Sequence, residues 1–390
     1  MEYTILKPPS KRHRLAWLSL AVAAAVVAAG VGALIAGRHD TPGVSSATRS
    51  GDHRTRATVA PALTVASTTP ASGAVDVPSD QTVTVTLSSP IKSGWGQPTF
   101  NPPVAGYWHL TGPRTLSFAA AASFVPTSTE TLTIPSGADG PHSTGGGTLP
   151  TPVTVSFTVA QASTERLQQL LSQLGYLPLS FTPTGPSVSA AEATTAQDGT
   201  FAWRWPNMPT SLTSLWIEGA ENVITKGALM NFENQNGLTV DGLAGTRVWS
   251  TLLADLSANK MNGYPYTYVS VSKQLPEALT LFENGVPTIV NTPVNTGVPG
   301  ADTADGTFPV FEHVVSSRMQ GTNPDGSTYN DPAVPWASYF DNGDALHGFV
   351  RATYGSYQSN GCVEMPIAVA AQVWPLTPIG TLVTVAGPSS

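Results

Sequence analysis

Cys362 is the only cysteine in a chain of 390 residues, so it forms no intramolecular disulfide and its chemistry is that of a single thiol. A thiol becomes a working nucleophile when a base or a positive potential draws off its proton. Two histidines lie beyond residue 160: His347, fifteen residues before Cys362, and His313, forty-nine before it. Gly348 follows His347 and predicts a strand end where the imidazole turns freely. Ser359-Asn360-Gly361-Cys362 reads as a tight turn into an apolar run. Such a turn presents the thiol and aims backbone N–H groups at one point, as an oxyanion hole requires. The alternative for Cys362 is a small buried hydrophobe, a common fate of a lone cysteine. Metal chemistry is poorly served, because one cysteine and scattered histidines offer no ligand spacing. "NPDGSTYND" (323–331) has spaced oxygens but lacks the glutamate that closes a calcium loop, and reads as turns.

The elements that must position these residues are β-rich from 265 onward. "YTYVSVS" precedes "EALTLFENGVPTIVNTPVNTG", where Asn284-Gly285 joins two alternating runs; both turn positions need positive φ, so this is a hairpin. "DGTFPVFEHVVSS" reads as a strand and "MQGTNPDGSTYNDPAVPW" as a Gly/Asn/Asp-rich connection. A helical run at 366–373 and a closing strand, "GTLVTVAG", follow Cys362. Tyr329, Trp336 and Tyr339 precede His347 and either cover the cleft or pack in the core.

Upstream, three helices are expected. Leu167, Leu170, Leu171 and Leu174 fall on one face with Gly175 as the stop. Ala228, Leu229 and Phe232 mark a second helix, and Val248, Trp249, Leu252, Leu253 and Leu256 a third. Between them lies an insertion, 177–222, with strand-like "FAWRWP" and "SLWIEG". Residues 61–160 hold short Val/Thr runs broken by Pro and Gly, among them "QTVTVTLSS" with Val83, Val85 and Leu87 on one face, at the spacing of an antiparallel sandwich. His109 and His142 there stand apart from acids and from each other and are expected at the surface.

Residues 15–36 are uncharged and mostly apolar, long enough as a helix to span a bilayer. Lys7, Lys11, Arg12 and Arg14 before them, against Arg38 after, put residues 1–14 in the cytoplasm and the rest outside. The alternative is a secreted protein whose signal is cleaved near "VGA" (31–33). Residues 37–60 read as a flexible tether. Charged residues make up only 11% of the chain, and residues 265–390 carry ten acids against three bases. That acidic domain repels phosphate backbones and excludes nucleic acid as a partner.

Assembled in order, "ENGVPTIVNTPVNTG…DGTFPVFE…ALHGF…SNGCVEMP" resembles the YkuD-type L,D-transpeptidase domain over 261–390. The leucine helix ending in "LGY" and "GLTVDGLAGTRVW" resemble a peptidoglycan-binding domain of three short helices at 161–260, interrupted by the insertion. "TTPASGAVDVP" and "SFVPTSTETLTIPSG" are similar to a bacterial immunoglobulin-like spacer at 61–160. The implied protein is mainly β with a small α module. The resemblance makes Cys362 the nucleophile and His347 its general base. It gives Ser359 and Gly361 to the motif turn, and makes Gly348 the residue whose carbonyl orients the imidazole. Asn360 and Glu364 depart from the family pattern, and Glu364 puts acceptor preference in question. Tyr329, Arg351, Glu364 and Trp336 are candidate substrate contacts, and Arg318 is a second candidate for a stem carboxylate.

The implied reaction is acyl transfer from a tetrapeptide stem of peptidoglycan through a Cys362 thioester. Backbone N–H groups at Gly361 and Cys362 hold the oxyanion, and a neighbouring amine completes a 3→3 cross-link. Water in place of the amine makes the site an L,D-carboxypeptidase. The rival from another class is a wall-binding structural protein with a decayed site. No cofactor is implied; peptidoglycan stems and glycan are the partners, and carbapenem-type β-lactams the inhibitors. Sortases need an arginine after the cysteine, which 363–390 lack, and papain-like peptidases place the cysteine before the histidine.

Overall fold

The computed structural model describes residues 60–387 other than 187 and 189–192. The apolar stretch 15–36 and the tether up to 59 lie outside the described residues, among which no helix is long and apolar enough to cross a membrane. Residues Thr58–Ser390 form one compact unit.

The first part is the expected sandwich. Strands Val65–Thr69, Val83–Leu87, Thr115–Ala120 and Gly106–Gly112 form one four-stranded sheet. Ala74–Val77, Val153–Val159, Thr129–Ile134 and Thr99–Asn101 form the other. Val83, Val85 and Leu87 all point into the core, where Phe100, Trp108, Phe118, Phe124 and Phe157 fill the space between the layers. Alternation set the strand faces, because a period of two sends every second side chain inward. His109 is exposed and His142 half-buried, its ring nitrogen 3.2 Å from the Ala138 carbonyl oxygen.

Helices Thr164–Gln173, Val223–Gln235 and Thr246–Ser257 follow; the first two bury their predicted stripes, and the third buries Val248, Trp249 and Leu252 with Leu253 and Leu256 half-buried. Ser163 and Asn222 cap the first two by accepting from backbone N–H groups three residues on. The insertion departs from expectation in part. Of "FAWRWP" only Phe201–Trp203 is strand, ending Gly199–Trp203, which pairs antiparallel with Leu179–Pro183. "SLWIEG" is not a strand but a chain of turns after the short helix Thr210–Thr213. The reason is Gln168, fully buried, whose amide donates to the Ile217 and Ala220 carbonyls and accepts from Gly219 N–H. A side chain has taken the backbone groups that a neighbouring strand would need.

The insertion and helices bolt onto a sheet of the last part. Tyr268 and Leu382 of that sheet lie in the helical core, and the Tyr268 hydroxyl is 2.8 Å from Ser211 Oγ and 2.7 Å from Thr384 Oγ1. Trp205 lies over the hairpin tip, so close that a Cβ at Gly285 would sit 2.5 Å from it. Helix Val223–Gln235 meets residues 379–380 backbone to backbone: a Cβ on Gly227 would lie 2.6 Å from the Gly380 carbonyl, and Asn231 Nδ2 donates to the Ile379 carbonyl at 2.9 Å.

The last part has two sheets. Val286–Pro293, Ala278–Glu283, Thr267–Ser272, Leu382–Ala386 and Gly306–Pro309 form a five-stranded sheet in that order. Asn284 and Gly285 have φ of 50° and 74°, as the hairpin turn demands. The second sheet runs Glu312–Thr322, Thr328–Asp341, Asp344–Gly348 and Val363–Met365. The stretch expected as a connection, 319–336, is instead the far half of a long hairpin closed by an Asp325–Ser327 side-chain turn. Its strands are largely exposed and polar on both faces, so alternation does not betray them. The pair that matters most is parallel, Asp344–Gly348 with Val363–Met365, in the register Leu346↔Val363 and His347↔Glu364.

Candidate active site

That register places the strand ending after His347 beside the strand beginning after Cys362. Both residues line one cleft of about 250 Å3, together with Asn360, Glu364, Phe349 and Arg351 from the same two segments. The far half of the long hairpin closes the other side with Met319, Asn323, Tyr329, Asp331 and Val334. Met319 and Asp331 are register partners, and Tyr329 shares their face by the period of two.

His347 is buried, and its Nδ1 lies 3.1 Å from the Gly348 carbonyl oxygen. A carbonyl can only accept, so Nδ1 carries the proton and Nε2 keeps its lone pair. The imidazole expected to turn freely is therefore held, by packing and by the very carbonyl the resemblance pointed to. Gly348 has a second reason to be glycine: a Cβ there would meet Ile367 Cα at 3.1 Å and Ala370 Cβ at 3.2 Å, pushing off the helix Ile367–Val373.

The Cys362 turn is fixed from three sides. Ser359 Oγ donates to the Cys362 carbonyl at 2.5 Å and accepts from Gly361 N–H at 3.2 Å. Thr303 Oγ1 donates to the Gly361 carbonyl at 2.6 Å. Asn360 Nδ2 donates to Asn323 Oδ1 at 2.6 Å, tying the turn to the hairpin tip. Gly361 has φ of +114°, open to glycine alone. The Gly361 N–H, expected to face an oxyanion, is taken by Ser359 inside the turn.

Glu364 and Arg351 form a two-point ion pair, Nε–Oε2 2.7 Å and Nη2–Oε1 2.8 Å, and Arg351 also donates to the Gln358 carbonyl at 2.9 Å. The guanidinium expected to hold a substrate carboxylate is thus committed to a carboxylate of the protein. Arg318 donates to Asn330 on the exposed hairpin and does not line the cleft. Trp336 is turned the other way, against Trp374 at 5.5 Å and into the core, and the Tyr339 hydroxyl meets Ser317 Oγ at 2.7 Å. Of the three aromatics expected as a cover, only Tyr329 lines the cleft. Replacing Arg351 by glutamine strands the Glu364 carboxylate, whose side chain is 6% exposed. The expected loss is about 3 kcal/mol, the low end for breaking a buried pair because Arg351 is 31% exposed. Chemical unfolding measures it, and Arg351→Gln/Glu364→Gln should recover part of the loss.

Burial pushes the Cys362 thiol up to about 12, with the nearby Asp344 and Glu364 carboxylates adding to it. Burial lowers the His347 imidazole below its usual value, partly offset by the Gly348 carbonyl. At neutral pH the resting pair is therefore a thiol, donating to the Gly343 carbonyl at 3.8 Å, and a neutral imidazole. The thiol's share of stability is complete below the unfolded value near 9 and fades as pH rises toward 12. The imidazole's share is present above its unfolded value of 6.5 and fades as pH falls below it. Asp344 is itself raised to about 6 by burial and by Asp341, and a Cβ on Gly361 would lie only 2.2 Å from its Oδ1. Alkylation of Cys362 by iodoacetamide is accordingly expected to keep climbing through pH 10 without a plateau. Asp344→Asn should move the curve to lower pH; a plateau below pH 9 in the unaltered protein would contradict the burial argument.

Several supports of the site escape a reading of the sequence. Glu277 accepts from both the N–H and the hydroxyl of Thr296, and Asn295 Oδ1 accepts from Gly355 N–H and Gln358 Nε2. Both are fully buried and carry the loop 355–359 that leads to Cys362. Their only signal is polarity next to an apolar run. Asp331 could have been found, since it stands two residues from Tyr329 on a strand, but the strand itself was read as a connection.

The fold and this cleft define a domain that known families share. Residues 266–385 match the family model of the L,D-transpeptidase catalytic domain, and residues 58–159 that of a bacterial Ig-like domain. The chain therefore carries an L,D-transpeptidase catalytic domain behind an Ig-like domain; the two matches do not extend over 160–265. Among solved structures, L,D-transpeptidase 3 from Mycobacterium tuberculosis is 13% identical, with 83% of this chain and 98% of that chain covered and a TM-score of 0.29. The same enzyme with a faropenem-derived adduct gives 14% identity, 82% and 97% coverage, and a TM-score of 0.29. The catalytic domain of the E. faecium L,D-transpeptidase is 25% identical, with 32% of this chain and 100% of that chain covered and a TM-score of 0.28. No curated protein matches the chain.

Proposed function

We propose that the protein is a cysteine L,D-transpeptidase that forms 3→3 cross-links between peptidoglycan stems. The observation that carries the reading is Cys362 and His347 in one cleft, with the imidazole tautomer set by the Gly348 carbonyl. Nε2 takes the thiol proton as sulfur attacks the carbonyl before the terminal D-alanine. Because the resting pair is neutral, proton transfer accompanies C–S bond formation rather than preceding it. The oxyanion rests on the Cys362 N–H, since Gly361 N–H serves Ser359. His347 returns the proton to the departing amine, D-alanine leaves, and a thioester remains. A side-chain amine of a second stem attacks it, losing its proton to Nε2, and the thiolate leaves.

Asp331 favours transfer over hydrolysis. It lines the cleft, and among the described residues no basic side chain forms an ion pair with it, so an ammonium has a place to dock. Residues 15–36 as an anchor would hold this chemistry on the outer side of the membrane. Mass spectrometry of the products from a disaccharide tetrapeptide tests the reading. Dimers lacking one D-alanine support it; D-alanine loss without dimers makes the protein a carboxypeptidase. No product, together with no mass shift on Cys362 after ertapenem treatment, would leave only the structural role.

A further inference from the structure

Glu364 is a departure from the family pattern, and among the described residues its carboxylate accepts hydrogen bonds from Arg351 alone. It lies on the strand Val363–Met365, whose parallel register sets it opposite His347. Register partners on neighbouring strands present their side chains to one face, about 4.8 Å apart at the backbone. The thiol is two residues back, about 6.6 Å along an extended chain. The carboxylate therefore belongs to the imidazole more than to the sulfur.

Arg351 fixes this carboxylate in place. Nε and Nη2 hold its two oxygens at 2.7 and 2.8 Å, and Nη2 also donates to the Gln358 carbonyl at 2.9 Å. The guanidinium lies over the Phe349 ring, 4.8 Å from its centre. Phe349 in turn meets the His347 ring edge to face, with centroids 6.0 Å apart. Acid, cation, phenyl ring and imidazole are one packed cluster around a histidine that is 2% exposed. The charges facing the imidazole come from three segments: Glu364 on the neighbouring strand, Arg351 on the loop after Gly348, and Asp331 on the hairpin strand Thr328–Asp341. Cys362 and Tyr329 are the other titratable groups lining the cleft. The helix Ile367–Val373, packed against Gly348, carries no charged residue. Burial disfavours the charged imidazole; the Gly348 carbonyl and then Glu364 oppose burial, and Arg351 acts with it.

The order of charge movement gives Glu364 its use. Once Nε2 takes the thiol proton, the imidazole is a buried cation, and it stays one until the departing amine is protonated. The negative charge on sulfur passes to the carbonyl oxygen as the C–S bond forms. A carboxylate beside the imidazole thus stabilises a charge that lasts through the tetrahedral intermediate, while its repulsion of the sulfur ends with the attack. A buried carboxylate alone would be destabilising, and Arg351 offsets that while cancelling part of its field.

Resting on the transpeptidase reading, we propose that Glu364 is a positioning residue of the acyl transfer: held by Arg351, it stands beside His347 and stabilises the imidazolium that carries the thiol proton. Arg351 is its counterweight.

The test is the pH dependence of Cys362 acylation by ertapenem, followed by intact mass, with the His347 ring titrated in parallel by NMR of labelled histidine. Glu364→Gln keeps the side chain's size and an oxygen for Arg351. It should move the acid limb of the rate and the His347 titration about one pH unit lower, with a slower plateau. Arg351→Gln should move both about one unit higher. Arg351→Gln/Glu364→Gln should return them to the position of the unaltered protein, because the two fields cancel. A pair that only shaped the fold would not shift a titration in opposite directions through its two halves. A limb that stays in place in Glu364→Gln, a faster plateau in that variant, or shifts of one sign in both single variants overturns the proposal. Glu364→Gln decides alone where Arg351→Gln fails to fold. The NMR titration needs no turnover, so a protein that makes no dimers fails the transpeptidase reading without altering this result.

Discussion

Cys362→Ala should abolish D-alanine release and dimer formation, and His347→Asn should lower turnover by about 10^2–10^4-fold, the span that a positioned general base covers. Asparagine is the informative replacement. Its amide can still donate to the Gly348 carbonyl, so the site stays assembled, but it offers no nitrogen lone pair to the thiol. The double variant should be no worse than Cys362→Ala alone, because groups that act as one unit lose their contribution together. Product analysis by mass spectrometry gives both rates on one substrate. Turnover by His347→Asn within tenfold of the unaltered protein would remove His347 from the mechanism and leave the thiol without a base in the cleft.

The second large effect belongs to a residue with no side chain. Gly361→Ala should destabilise the protein by about 3 kcal/mol and stop acylation by ertapenem, for two separable reasons. One is the backbone, held at φ of +114°. The other is space, since the new Cβ would lie 2.2 Å from Asp344 Oδ1. Asp344→Ala removes the second obstacle and leaves the first. Gly361→Ala/Asp344→Ala should therefore regain part of the stability without regaining the rate, because the turn that aims the thiol stays displaced. Thermal unfolding and the rate of the intact-mass shift report the two quantities. Full recovery of both would mean that the turn conformation matters less than the clash.

Much of this architecture could be read from residue patterns, and the failures share a cause. Val83, Val85 and Leu87, the leucines from 167 to 174 and the Asn284-Gly285 turn all lie where one face is apolar and the other is wet, or where backbone geometry restricts residue choice. There, local pattern and global fold agree. The hairpin 312–341 was misread beyond residue 318 because both of its faces meet solvent for much of its length, and a strand with no buried face has no period. "SLWIEG" was misread because a distant side chain, Gln168, decides its backbone bonding. Cys362, His347, Asn360 and Glu364 do share the cleft. Arg351 does too, but its partner lies thirteen residues away, and only the parallel register reveals that its charge is spent. Trp336 was a matter of direction, and residue order carries no direction once the backbone adopts φ of +62°.

The contact between Gly227 and Gly380 has a consequence for how such a chain can change over generations. Where a glycine on each side lets two backbones meet, a side chain added to either one finds no space that a change in its partner could open. Trp205, whose side chain presses on Gly285, leaves as little room at the hairpin tip. Recombination that brought in a helical segment of different ancestry would set a methyl group or more against a surface that admits none. The catalytic part and its helical neighbour are therefore bound to descend together, whereas the sandwich, joined through hydroxyl pairs such as Thr127 with Thr246 and Ser79 with Thr194, keeps the freedom to be traded.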